Sequence, residues 1–440
     1  MPILRCEWLS EQLNTTGERA MVRYHSTSEF SEILFSFRLA FSKRSWPYLC
    51  ATMIPWLIQS GQRHIRLLCH GAGLKRHEAS FYRFFSHFKF RPEAFFKALL
   101  LMIIQTFQLK KLLMAVDDTL CPKWGKHIFG TCPFWDHTSR PRPGYIWGHN
   151  WVVLAVVVEL FGVPVALPFW ISLYRSKKHC PKAEFRTRLQ ITIEALQKVQ
   201  TWISLEISLA ADGAYNNQAI LKPLVKMKIS LTSRLRFDAV LRASLPKKKT
   251  KKRGRKPKYG RRLPSLPAIA ESGRGWKRIR VKIYGKLVRL NYKSFVAWWP
   301  KAGVQLQIVI VRDRKGERKP TYLSSTDLNL KPALLIQRFS WRWPIEQLFA
   351  DVKTWLGLDS AEVRAPKSVL RHAIFAFALV TWVRVWALKH LAGHQNPPVS
   401  FLGQLSLLRT GMMTETIFSS IPANRLSKRN CRDLANLIVN

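Results

Sequence analysis

Acidic residues are scarce in this chain: 26 aspartates and glutamates face 72 lysines and arginines among 440 residues, a formal net charge of +46. So large an excess repels itself in a compact state unless a polyanion shares the space, which points to nucleic acid as the partner and an anionic membrane surface as the next candidate. Scarcity also gives weight to each carboxylate that ends an apolar run. Cysteines are few and scattered, seven in all (Cys6, Cys50, Cys69, Cys121, Cys132, Cys180 and Cys431), with no Cys-x-x-Cys pair. That argues against a disulfide scaffold and implies reduced thiols and a cytoplasmic setting. Cys121, His127, Cys132 and His137 lack the spacing of a zinc finger or ribbon. The opening stretch MPILRCEWLSEQLNTTGER has no apolar run behind its basic residue, so no secretory signal is expected. Trp151 to Leu173 is almost wholly apolar, but Glu159, Gly162, Pro164 and Pro168 interrupt it and its first half is rich in valine. Two buried strands joined at Phe161–Gly162 explain it better than a membrane-spanning helix. Neither a membrane nor a small-molecule substrate is expected as a partner.

What is present divides into five stretches. Residues 1–110 read as helical, basic and aromatic: Phe81, Phe84, Phe85 and Phe88 are spaced like one helical face, with Arg76, His77, Arg83, Lys89 and Arg91 around the rest. A helix-turn-helix DNA-binding module and a plain helical core with basic solvated faces fit this pattern equally well. Residues 111–240 alternate short apolar runs with a loop-like segment from Cys121 to Asn150, a helix from about Ala183 to Ile203 and a strand over 228–241. Residues 241–330 begin with an arm in which 247–262 hold eleven basic residues and no acid. Such a run cannot fold alone. Its Lys251, Lys252, Arg253, Arg255 and Lys256 are candidate DNA contacts, either through the phosphates or as a minor-groove hook. Alternating segments between Trp276 and Thr326 then read as a β-rich insertion. Residues 331–395 are helical again, and 396–440 form a tail without a usable pattern.

Three acids stand out by position. LLMAVDD (112–118) is an apolar run too short for a helix and ends in Asp117 and Asp118. These two neighbours cannot both serve one site unless the strand has already ended, because successive strand side chains point to opposite faces. ISLAADGAY (207–215) repeats the pattern, placing Asp212 at a second strand end. Between Ala333 and Leu358 the residues Ile345, Leu348, Phe349, Val352 and Leu356 recur at helical spacing behind Pro344, a favoured first-turn residue. Glu346 falls in that first turn, Lys353 seven residues on, and Arg342 just upstream; Asp351 is expected to face solvent. An Asp, Asp, Glu set of oxygen ligands suits Mg²⁺ and in-line phosphoryl displacement by two ions.

This motif set resembles the bacterial insertion-sequence transposases of the DDE type, and within them the insertion-sequence-four-like branch. Its closing signature is tyrosine, two residues, arginine, three residues, glutamate, six residues, lysine, and here Phe339, Arg342, Glu346 and Lys353 keep that spacing with phenylalanine for tyrosine. The resemblance implies an α/β fold: a ribonuclease H-like catalytic domain interrupted by a β-rich insertion, with a helical N-terminal region. It implies Asp118, Asp212 and Glu346 as catalytic metal ligands, Asp117 being second choice for the first of them, and Arg342 and Lys353 as grips on DNA phosphates. The cofactor implied is two Mg²⁺ ions, for which Mn²⁺ can substitute. The partners implied are double-stranded DNA, as element ends and target, and a second copy of the chain, with a location at the bacterial nucleoid. Trp276, Trp298 and Trp299 are candidates to hold a flipped base if excision passes through a hairpin. A catalytically silent DNA-binding descendant and a host nuclease that cuts without joining are the alternatives.

Overall fold

The helical pattern of the first hundred residues takes shape as α1 (Ser26–Phe35), α2 (Trp46–Ile58), α3 (Glu78–Ser86) and α4 (Pro92–Thr106). The structure, a computed structural model, describes residues 26–59, 65, 77–125, 127–136, 144–245, 257–315 and 317–420. Two units divide the chain. One takes Leu99–Ala350 and Val363–Phe377, the other Met1–Ala98, Asp351–Glu362 and Ala378–Asn440.

The first unit is built on one mixed sheet. Its strands are β1 (Lys111–Pro122), β2 (Cys132–Asp136), β3 (Gly144–Leu160), β4 (Val163–Tyr174), β5 (Glu206–Ala211), β6 (Ser230–Arg234), β7 (Lys277–Ile283), β8 (Lys286–Trp299), β9 (Val304–Asp313) and β10 (Thr321–Ser325). They run in the order β2-β3-β1-β5-β6-β10-β9-β8-β7, with β4 also paired to β3. At the centre, β4, β3 and β1 are antiparallel neighbours, and β5 and β6 follow parallel to β1, the ribonuclease H-like order. The apolar segment Trp151–Leu173 is the β3–β4 hairpin, turned at Phe161 (φ 49°) and Gly162 (φ 80°) as a two-residue type I′ turn requires.

Parallel strands need crossovers, and two helices supply them: α5 (Arg188–Trp202) ahead of β5, and α6 (Gln218–Lys226) between β5 and β6. The start of α5 is set later than Ala183 by a capping box. Thr187 Oγ1 accepts the Gln190 N–H at 3.2 Å, and Gln190 Oε1 accepts the Thr187 N–H at 2.8 Å. Two otherwise orphaned donors are satisfied, and Arg188 becomes the first helical residue.

The segment expected as a loop from Cys121 is partly strand, because β1 runs on to Pro122 and β2 pairs with Gly144–Gly148 of β3. The strand expected over 228–241 stops at Arg234, where its ladder to β10 ends at the Leu323↔Arg234 pair. The β-rich insertion is an antiparallel meander, β7 to β10, that joins the same sheet through β10. It thereby covers the N–H and C=O groups that β6 would otherwise expose as an edge. After α7 (Leu266–Glu271), α8 (Pro332–Ser340) buries Leu335 and Ile336 among Val281, Val309, Val311, Leu323 and Leu330. Next, α9 (Pro344–Leu356) opens at Pro344 and buries Ile345, Leu348, Phe349, Val352 and Leu356, the stripe read from the sequence.

The other unit is helical and aromatic. Trp382 of α10 (Pro366–Leu391) meets Phe30, Phe37 and Phe95 with ring centroids 6.3, 5.0 and 5.8 Å away, all edge-on. Helix α10 is long and apolar enough to cross a membrane, yet 83% of its apolar window is buried, as in a core helix. The stretch expected as a tail contains α11 (Phe401–Ser420), which packs on α1 and α2 and buries Phe401, Leu405, Leu408 and Met412. Those four residues are at helical spacing, a signal diluted by Gly403 and Gly411. Asp351, expected in solvent, is buried with its Oδ2 3.9 Å from Arg384 Nη2. The helix is covered beyond its main apolar stripe, and an arginine offsets the buried charge.

Candidate active site

β1 and β5 run side by side in parallel, and the last residues paired between them are Val116 and Ala211. The next residue on each is an aspartate, Asp117 and Asp212, so the register itself sets two carboxylates on one face at the C-terminal end of β5. Such strand ends are where parallel sheets open into a crevice. The turn between α8 and α9 delivers the rest. Arg342 Nη1 lies 2.7 Å from Asp117 Oδ2, and its Nη2 lies 2.5 Å from Glu346 Oε1. Glu346 occupies the first turn of α9, where the positive end of the helix favours a carboxylate. Phe339 lies beneath the guanidinium, with Arg342 Cζ 6.0 Å from the ring centroid.

Burial dominates the electrostatics. It lifts the Asp117 carboxyl to about 7, against the pull of Arg342 and the Asp118 N–H, while Asp118 and Asp212 add to the rise. Burial also works against the charge of Arg342, but Asp117, Glu346 and Asp212 outweigh it and raise the pKa of the guanidinium. Three carboxylates around one guanidinium leave surplus negative charge. Burial first, and the neighbouring carboxylates after it, keep a proton on Asp117 close to neutrality.

Asp118, the residue the sequence favoured, faces the other way. Its Oδ2 accepts from Arg188 Nη1 at 2.7 Å and from Asn150 Nδ2 at 2.9 Å. Arg188 in turn lies 5.2 Å over the Tyr174 ring. Strand alternation is the reason, since β1 has not ended at these residues. Asn150 and Arg188 were not singled out from the sequence; the Thr187–Gln190 capping box was the available signal that Arg188 begins a helix.

Residues 44–286 match the model of the DDE superfamily endonucleases. The chain belongs to that family. The matched segment holds Asp117, Asp118 and Asp212 and ends before Arg342 and Glu346. Among solved structures, a piggyBac transposase synaptic complex with hairpin DNA is similar, with a TM-score of 0.43 and 12% identity over 96% of this chain and 78% of that one. No curated protein sequence matches.

DDE superfamily endonucleases generally use divalent metals. In this DDE endonuclease the converging donors are hard carboxylate oxygens, and the guanidinium drawn between Asp117 and Glu346 shows that the pocket holds a cation. With Arg342 there, no group of three or more His, Cys, Asp or Glu among the described residues is arranged as a metal cage. Donor chemistry fits a divalent ion, and Arg342 occupies the space between Asp117 and Glu346.

The remaining candidates are dispersed. Lys353 lies seven residues beyond Glu346 on α9, in the other unit. Lys251, Lys252, Arg253, Arg255 and Lys256 fall outside the described residues, as does His137. Trp276 is covered by Arg312, whose Cζ is 3.9 Å from the ring centroid, and by Lys293 Nζ at 4.9 Å. Trp298 packs beside Tyr259 with centroids 5.3 Å apart, and Trp299 is buried.

Proposed function

We propose that this DDE endonuclease is a transposase of the insertion-sequence-four-like type, which binds the ends of its element, cuts the backbone there and joins the freed 3′ hydroxyls to target DNA at the bacterial nucleoid. The observation that carries this reading is the convergence of Asp117 and Glu346 on Arg342, with Asp212 set beside Asp117 by the β1–β5 register. Asp117, Asp212 and Glu346 would hold two Mg²⁺ or Mn²⁺ ions, which would supply Lewis acidity at the phosphate and a lowered pKa for the attacking water or hydroxyl.

The chain's own groups do the rest. Arg342 neutralises the acids at rest and, on giving them up, presents a two-pronged donor to the scissile phosphate. Asp117 has to lose its proton before it can ligate. Arg188 and Asn150 hold Asp118 on the opposite face of β1, away from the cluster. The basic arm around Lys251, Lys252, Arg253, Arg255 and Lys256, together with Lys353, adds phosphate contacts, and a homodimer brings two element ends together for paired processing.

The test is nicking of a labelled element end. Glu346→Gln and Asp117→Asn should keep end binding and lose nicking, while Asp118→Asn retains it. The reverse pattern for the two aspartates would return the first ligand to Asp118. A pre-cleaved end supplied with a target plasmid should yield joined product; cutting without joining would mark a nuclease.

A further inference from the structure

The β7–β8 hairpin ends the sheet, with seven register pairs from Lys277↔Tyr292 to Ile283↔Lys286. Alternation gives it two unlike faces. Ile279, Val281, Ile283, Leu290 and Tyr292 pack into the core shared with α8. The opposite face carries Arg278, Arg280 and Lys282 from β7 and Arg289 from β8, all exposed. Arg280 and Arg289 are direct register partners. Like charges placed opposite each other weaken an antiparallel pair. A merely solvated face would relieve this with an acid, yet among the described residues no carboxylate is ion-paired with any of the four cations.

Two further cations border the array. Arg312 of β9, the register partner of Asn291, extends the face and rests on Trp276, while Lys293 Nζ donates to the Ile269 and Ser272 carbonyls at 2.7 Å each. Alternate residues along a strand stand roughly 7 Å apart and adjacent strands about 5 Å apart. The strands thus space four cationic side chains regularly on one sheet face, and double-stranded DNA carries one negative charge per ~1.7 Å of its axis.

We propose that this face of the β7–β8 hairpin is a docking surface for the sugar-phosphate backbone of double-stranded DNA, engaged without regard to base sequence through Arg278, Arg280, Lys282 and Arg289. It rests on the reading of the chain as a DNA-processing enzyme and adds a surface apart from the acid cluster and the basic arm. The facing charges weaken the strand pair in the free protein, and a bound polyanion relieves that cost by neutralising them.

The experiment compares the full chain with its Arg280→Gln/Arg289→Gln variant by fluorescence anisotropy on unrelated duplexes over a range of salt concentrations. The slope of log affinity against log salt should fall by about 2, at roughly 0.9 for each phosphate no longer neutralised, and affinity should fall equally for every duplex. The unfolding midpoint without DNA should not fall, because a repulsive pair has been removed, and Arg280→Lys/Arg289→Lys should restore the slope. An unchanged slope in the folded glutamine variant overturns the surface while leaving the enzyme reading intact. A loss confined to phosphatidylserine vesicles, with duplex binding unaltered, also overturns it. Failure of the unsubstituted chain to bind any duplex would instead sink the underlying reading.

Discussion

Replacing Asp117 by asparagine isolates what it costs to keep an ionised carboxylate within the acid cluster. Burial raises this carboxyl from 3.8 to about 7 even with Arg342 Nη1 2.7 Å away. A group whose proton is held more tightly in the folded state stabilises the fold fully below its unfolded pKa, and that contribution is lost as pH rises through the folded value. The window is therefore about pH 4 to 7. At roughly 1.4 kcal/mol per decade of proton affinity the full effect is about 4 kcal/mol, an upper limit for a carboxyl that retains 19% exposure. Two buried histidines act in the opposite sense. Burial lowers His149 to about 4 and His372 to about 3, so both fold as neutral rings and their contribution is lost as pH falls below 6.5. The wild-type profile mixes these effects, and the difference between two proteins separates them. Denaturant unfolding of wild type and Asp117→Asn, without divalent cations, should diverge by up to several kcal/mol in favour of the variant between pH 4 and 7 and run parallel above. Loss of the hydrogen bond to Arg342 lowers the variant by an offset that leaves this slope in place. Parallel curves throughout would refute the argument, because they would mean that Asp117 keeps an ordinary carboxylate pKa where it is buried.

Two further outcomes follow from the same geometry. On the proposed ligand set a divalent ion would displace the Asp117 proton as it binds, so calorimetry at pH 6.5 in two buffers of different ionisation enthalpy should record release of about one proton, and none from Asp117→Asn. Arg188→Ala leaves Asp118, which is only 16% exposed, without its charged partner, and should lower stability by about 1–3 kcal/mol in thermal unfolding while divalent-ion affinity stays near that of wild type; loss of ion binding instead would place Asp118 among the ligands.

What was legible in the chain is what depends on neighbours in sequence. The runs ending at Asp117 and Asp212 read as strands because burial periodicity is local. The β3–β4 turn at Phe161–Gly162 and the opening of α9 at Pro344 follow from local turn and helix chemistry. What was not legible depends on partners far along the chain. Asp351 lies off the apolar stripe of its helix, and its burial beside Arg384 becomes visible only once residues beyond 377 are in place. The choice between Asp117 and Asp118 is of the same kind. Both follow an identical apolar run, and either could begin a site if β1 ended there. The strand continues to Pro122 because β3 pairs with it as far as Gly148, and alternation then has to send the two carboxylates to opposite faces. The side that becomes the crevice is set by Ala211, the β5 partner of Val116, and Asp212 directly after it. A one-residue slip of the β1–β5 register would exchange the roles of the two aspartates, and burial of Val116 and Ala211 between neighbouring strands opposes that slip.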